Sequence, residues 1–200
     1  LLGGGFDEVI LATGIRPRTP NIPGIEHPKV LSYLDVLRDH KPVGEKVAVI
    51  GAGGIGFDVA EYLVEKRGSP DAESHRDHWL KEWGIDKQLG ERGGLTTPEI
   101  DAPERQIWLL QRKESKVGDG LGKTTGWTHR LTLQRRGVGM VAGVEYTGID
   151  DQGLHTVVNG EPQLFEADTV IICAGQEPER SLFDALAESG ISTHRIGGAY

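Results

Sequence analysis

The first candidates for chemistry in this chain are glycines. Gly51-Ala52-Gly53-Gly54-Ile55-Gly56 is a Gly-x-Gly-x-x-Gly. In that spacing the first glycine makes a tight turn, the second lets a pyrophosphate approach the backbone, and the third lets a helix pack closely on a strand. The alternative is a structural turn with no ligand. The second candidates are basic. Gln111-Arg112-Lys113 stands where a dinucleotide fold usually places a carboxylate to meet the adenosine ribose hydroxyls. A 2′-phosphate would be repelled by a carboxylate and needs cations. Arg112 and Lys113 therefore predict NADP(H), Arg112 by forking or stacking onto the phosphate and Lys113 as a point charge. A solvated basic turn is the alternative. Gly122-Lys123-Thr124 resembles part of a phosphate loop, but Val117 stands where its first glycine should be, so nucleoside triphosphate hydrolysis is set aside. Lys123, Trp127 and Arg130 could instead flank the adenosine phosphate. Cys173 is the single cysteine and reads as a buried structural thiol. His75-x-x-His78 in a polar stretch reads as surface, so no metal site and no catalytic acid, base or nucleophile is assigned.

These residues need elements to position them. The apolar run Val47 to Ile50 reads as a buried parallel strand, and Ile55 to Lys66 as a helix with Ile55, Val59, Tyr62 and Leu63 on one face. Helix N-terminal N–H groups and the positive end of the dipole would then face the phosphates. Gln106 to Leu110 is the second strand of the unit, delayed by a polar insertion from Arg67 to Glu104. Within that insertion His75 to Gly84 predicts an amphipathic helix. Its Trp79 and Trp83 either cover the chain's own surface or offer a docking contact or lid. Trp127 to Arg136 predicts a helix and Val138 to Val141 a third strand. Val144 to Ile149, Leu154 to Val158 and Gln163 to Ala167 form an antiparallel meander feeding the apolar run Thr169 to Ala174. Phe6 to Ala12 predicts a strand, after which Ile15-Arg16-Pro17 is expected to break regular structure.

Composition narrows the class. A net charge of −8 over 200 residues, with no long basic cluster, argues against nucleic acid or an anionic membrane as partner. No apolar run approaches the roughly 18 residues of a membrane span. One cysteine permits no internal disulfide, and a cytoplasmic setting is expected.

Val9-Ile10-Leu11-Ala12-Thr13-Gly14-Ile15-Arg16-Pro17 and Val170-Ile171-Ile172-Cys173-Ala174-Gly175-Gln176-Glu177-Pro178 repeat one phrase, an apolar strand, a glycine turn and a proline. The pair brackets the fingerprint and resembles flavoproteins of the glutathione reductase type, in which an NAD(P)H domain is inserted into an FAD domain. With Leu121-Gly122-Lys123-Thr124-Thr125-Gly126-Trp127, the chain further resembles the C-terminal region of bacterial NADPH-dependent 2,4-dienoyl-CoA reductases, within the NADH:flavin oxidoreductase and trimethylamine dehydrogenase-like group.

The resemblance implies an α/β fold: a Rossmann-like NADPH domain at 44–175, with a central parallel sheet, a meander and the insertion 67–104, between partial FAD-binding pieces at 1–43 and 176–200. It implies that Ala174 and Gly175 lie near the nicotinamide, and that Ala12, Thr13, Gly14, Gly197 and Gly198 border FAD. It also implies an electron path from NADPH to FAD, a 4Fe–4S cluster and FMN. The partners would be the remaining FAD domain and an FMN barrel of the same polypeptide, with 2,4-dienoyl-CoA bound elsewhere. No cluster cysteines or barrel occur here, so the chain is expected to be an NADPH-binding fragment, inactive alone. A related amine dehydrogenase, another NAD(P)H:flavin oxidoreductase and a nucleotide-binding module without redox activity are the alternatives.

Overall fold

The computed structural model describes residues 3–65 and 72–200. The chain begins with β1 (Glu8–Leu11) and β2 (Ile15–Pro17). There follow β3 (Val30–Ser32), α1 (Tyr33–Leu37), β4 (Lys46–Ile50) and α2 (Gly54–Val64). Next come α3 (Ala72–Trp83), β5 (Gln106–Leu110), α4 (Gly126–Arg135) and β6 (Gly139–Val141). The meander is β7 (Val144–Ile149), β8 (Gly153–Val158) and β9 (Glu161–Glu166), followed by β10 (Thr169–Ile172). The last elements are β11 (Gln176–Pro178), α5 (Ser181–Ala187) and β12 (Ser192–Arg195). They assemble into two units, one of Leu1–Pro20 with Ala174–Tyr200, the other Asn21–Cys173.

The Asn21–Cys173 unit is organised by a five-stranded sheet in the order β3-β10-β4-β5-β6, all neighbours parallel. A parallel sheet covered on both faces needs apolar side chains at successive positions, and Val47, Ala48, Val49 and Ile50 have no exposed surface. Alternation then sorts them. Val47, Val49, Ile107 and Leu109 join Phe57, Val59 and Leu63 of α2 and Leu133 of α4 in one core. Trp108, on the other face of β5, meets Phe165 of β9 edge-on at 5.8 Å. The meander is antiparallel, with a register shift between Tyr146 and Gly148. The α/β class, the parallel sheet and the three-stranded meander are thus present as expected.

One boundary moves. Sequence places 1–43 outside the nucleotide domain, but Val30–Ser32 pairs with β10 as the edge strand of its sheet. Residues just before it are tied to the same unit: Pro23 O accepts from Ile149 N at 2.9 Å, and Lys29 Nζ donates to Ala167 O at 2.9 Å. A Cβ on Gly24, whose φ is +80°, would fall 2.0 Å from Ile149 O, so close backbone approach requires glycine there. At α1 the Ser32 hydroxyl accepts from Asp35 N, and the Asp35 carboxylate accepts from Ser32 N at 2.7 Å, a reciprocal cap.

The insertion forms α3, somewhat longer than the expected helix. It is anchored by Glu82, which pairs with Arg136 at 2.8 Å, the two side chains 12% and 5% exposed. Trp83 lies under Arg135 at 5.1 Å, covering the chain's own surface, while Trp79 stays 47% exposed. Residues 67–71 of the insertion, and Lys66 at the end of the helix expected over Ile55 to Lys66, lie outside the described residues.

In the other unit β1 and β12 pair in parallel, with Val9, Leu11 and Leu186 as their small core. Ile15–Pro17 does not break structure. It forms an antiparallel ribbon with Gln176–Pro178, in which Arg16 pairs opposite Glu177. Each proline sits at an end of this two-stranded ribbon, where its missing N–H costs little.

Candidate functional site

The glycine turn is built as its spacing demands. β4 ends at Ile50, Gly51 turns with φ +108°, and its N–H donates to Leu110 O of β5 at 2.8 Å, tying the turn to the neighbouring strand end. A Cβ on Gly56 would lie 1.9 Å from Gly51 O and 3.3 Å from Leu109 Cδ1. Only glycine allows α2 to start this close to β4. Cβ atoms on Gly53 and Gly54 would meet nothing within 4 Å, so that side of the turn is open to a ligand. α2 carries no side-chain cap and no acidic residue in its first turn, and its first turn closes with the bond from Phe57 N to Gly53 O at 3.1 Å. The N–H groups of Gly54, Ile55 and Gly56 are therefore left to an external acceptor at the positive end of an 11-residue helix. This is the donor set a pyrophosphate requires.

The basic turn follows β5, whose neighbours are β4 and β6. Arg112 and Lys113 are exposed, and among the described residues neither the guanidinium nor the ammonium makes a hydrogen bond or ion pair. Two free cations beside a donor-lined glycine turn suit a dinucleotide bearing an extra phosphate. The turn itself is ordered by Gln111, whose Nε2 donates to Lys113 O at 3.0 Å and Ser115 O at 2.6 Å. Sequence reading had no signal for that role, because a glutamine at this position registers chiefly as a missing acid. Nearby, Tyr146 is largely buried with its hydroxyl unpartnered, and burial raises its pKa despite the opposing field of Arg112.

The remaining candidates from this unit fall differently. Arg130 donates to Val117 O and Trp127 Nε1 to Thr124 O at 3.1 Å, so both brace the glycine-rich loop, while the Lys123 side chain stays exposed. Gly118 of that loop sits against Phe57 of α2, where a Cβ would be 2.8 Å from the ring. Cys173 N donates to Ile50 O, and burial pushes the Cys173 thiol up to about 12, which leaves no thiolate for nucleophilic chemistry near neutral pH. His78 faces Asp101 at 3.5 Å. No helix among the described residues is long and apolar enough to cross a membrane.

In the unit containing both termini, distant glycines come together. Ile196 N donates to Leu11 O at 3.0 Å, continuing the β1 and β12 pairing into the turns. A Cβ on Gly198 would lie 3.2 Å from the carbonyl carbon of Gly14, so Ala12-Thr13-Gly14 and Gly197-Gly198 form one abutting pair of turns. Cβ atoms on Gly14 and Gly197 would meet nothing, which keeps a face of the pair open. The Thr13 hydroxyl donates to Glu179 O at 2.6 Å. Ala174 O accepts two bonds from the Arg18 guanidinium, at 3.0 and 2.7 Å, and Gly175 O accepts from Arg18 N at 3.2 Å. Nothing local in sequence marks Arg18 for this role, because Ala174 is 156 residues away.

A parallel sheet with an uncapped glycine turn between its central strand and the following helix is the arrangement of a dinucleotide-binding domain. Residues 4–199 match the family model described as "Pyridine nucleotide-disulphide oxidoreductase", and the chain belongs to that family. It is a flavoprotein-type domain for NAD(P)H and FAD. Among curated relatives it is similar to a "Metal reductase" of Desulforamulus reducens, 29% identical over 92% of this chain and 26% of that protein. It is also similar to a "Cinnamate reductase" of Clostridium sporogenes, 29% identical over 98% of this chain and 24% of that protein. Solved structures sharing the fold include a 2-naphthoyl-CoA reductase, with a TM-score of 0.71, 19% identity and coverage of 96% of this chain and 24% of that one. Histamine dehydrogenase from Rhizobium sp. 4-9 gives a TM-score of 0.66 at 19% identity, over 99% of this chain and 28% of its own. The chain thus spans about a quarter of the length of these relatives.

Proposed function

We propose that this chain is the NADPH-binding part of a larger flavoenzyme, and that it holds the nucleotide for hydride delivery to FAD. The observation that carries this reading is the unpartnered pair Arg112 and Lys113 at the end of β5, next to the open turn that Gly51 ties to Leu110. Gly54, Ile55 and Gly56 N–H groups take the pyrophosphate, Arg112 and Lys113 the 2′-phosphate, and Ala174 with Gly175 the nicotinamide end. Ala12 to Gly14 and Gly197-Gly198 border the flavin. When bound, NADPH supplies the hydride chemistry; the chain contributes binding and orientation.

For the whole protein we infer reduction of a 2,4-dienoyl-CoA in fatty-acid oxidation, with FAD, a 4Fe–4S cluster and FMN relaying electrons. The further partners are the rest of the FAD domain and an FMN barrel, and the setting is cytoplasmic. The Lys123-Thr124-Thr125-Gly126-Trp127 stretch supports this family within the oxidoreductases. A relative named for cinnamate is compatible with reduction of a conjugated acid. The alternative, an amine dehydrogenase using this domain as scaffold, gives Arg112 and Lys113 no task. Titrating the protein with NADPH and NADH tests the reading. NADPH is expected to bind at least about tenfold more tightly, since charge-assisted bonds to a phosphate are worth a kcal/mol or more. Equal affinities would sink it.

A further inference from the structure

We propose that Gln111 is a positioning residue for cofactor discrimination: its side-chain amide folds the 111–115 turn so that Arg112 and Lys113 are held out together toward the 2′-phosphate. This rests on the NADPH reading above. Gln111 is pinned through its backbone, its N–H donating to Val141 O at 3.0 Å and its O accepting from Val144 N at 3.0 Å. The side chain then turns back into its own loop. Both hydrogens of Nε2 are used, one on Lys113 O and one on Ser115 O. Lys113 O also accepts from Gly143 N at 3.0 Å, so this carbonyl is held by two donors.

The consequence follows from what other side chains could do at this place. A carboxylate, the usual occupant of this strand end in NAD sites, has no proton to give. It would face two carbonyl oxygens and add a negative charge beneath the cations. An apolar side chain of the same length would leave Ser115 O to water and Lys113 O with Gly143 N alone, and so loosen the turn. In either case the backbone that carries Arg112 and Lys113 would have to be ordered by the ligand itself, and that backbone entropy would be charged against binding. Gln111 therefore excludes the NAD arrangement and preorganises the NADP one with the same atoms. Because its donors are consumed inside the turn, it acts through its neighbours and makes no bond to the nucleotide.

The test is calorimetric titration of the intact protein with adenosine 2′,5′-bisphosphate and with 5′-AMP, which differ only in the 2′-phosphate. Wild type is expected to prefer the bisphosphate. Gln111→Met should lose about tenfold of that preference, the worth of the two lost bonds, and Gln111→Glu more. The affinity for 5′-AMP should stay within about twofold, a separation that a general loss of structure does not produce. Retained preference in both variants, while Arg112→Ala abolishes it, would overturn the role of Gln111 and leave the NADPH reading standing. Parallel loss of both ligands would also overturn it, since the effect would then be one of folding. No preference in wild type would remove both proposals together.

Discussion

In Asn21–Cys173 a glycine turn rises from β4, whose four apolar residues have no exposed surface, and is locked by a helix start that a single Cβ would push into Gly51 O. In the other unit the turns at Gly14 and Gly198 meet at the end of a two-stranded sheet, over a core of Val9, Leu11 and Leu186, with Ile10 65% exposed. Both turns use glycine for close approach. The first is backed by a complete layered core, so its geometry follows from packing. The second depends on segments more than 180 residues apart in sequence, Leu11 and Ile196 being in hydrogen-bond contact. A similar local solution therefore carries very different mechanical support.

Glycine substitutions should expose that difference most strongly. Gly56→Ala places a methyl group 1.9 Å from a backbone oxygen that cannot rotate away, and is expected to cost about 3 kcal/mol or more and to eliminate dinucleotide binding. Gly198→Ala first meets Ile15 Cγ2 at 2.7 Å, the end of a side chain that can shift, and should cost about 1 kcal/mol. Chemical denaturation of the two variants measures both; equal losses would contradict the contrast between the units. The next effect concerns the site alone. Replacing Arg112 and Lys113 together by alanine should weaken NADPH by roughly 10- to 100-fold and leave NADH and thermal stability unchanged, because neither side chain bonds to any of the described residues. A large fall in melting temperature would show that they serve the fold instead.

The smallest effect lies in α1, just after the sheet's edge strand. The Lys41 ammonium, at 2.6 Å, and the Ser32 hydroxyl hold the Asp35 carboxyl down at about 2. The unfolded value is about 3.9. A depressed folded pKa means that Asp35 stabilises the protein above pH 4, and that this contribution disappears as pH falls toward 2. Asp35→Asn should therefore cost about 1 kcal/mol near pH 6 and almost nothing near pH 2, measured by denaturation at each pH. A difference that did not change with pH would rule out the charged cap as its source.

What the sequence disclosed follows from the range of the interactions. β4, its turn and α2 were legible because strand pattern, glycine spacing and helix periodicity are all local. The meander was legible for the same reason. The β2 and β11 ribbon was not, because each strand has three residues, one a proline, and pairing joins Ile15 to Pro178. β12, Ser192–Arg195, has no apolar alternation to announce it and exists by pairing with β1. Val30–Ser32 has only three residues and is a strand because β10 pairs with it from 140 residues away, Val170 opposite Val30. At the site, residue types were readable but their internal bonds were not. Gln111 and Arg18 act through carbonyl oxygens, which leave no mark in side-chain composition.

The central claim is that Arg112 and Lys113 receive a 2′-phosphate while the open glycine turn holds the pyrophosphate. Phosphorus NMR of bound NADP⁺ tests it most directly, because the 2′-phosphate reports its own protonation. In solution such a group takes up its proton near pH 6. With Arg112 and Lys113 beside it, the dianion should persist to a pH at least about one unit lower, and the shift should vanish in the double alanine variant. A bound 2′-phosphate that titrates as it does in free NADP⁺ would contradict the account.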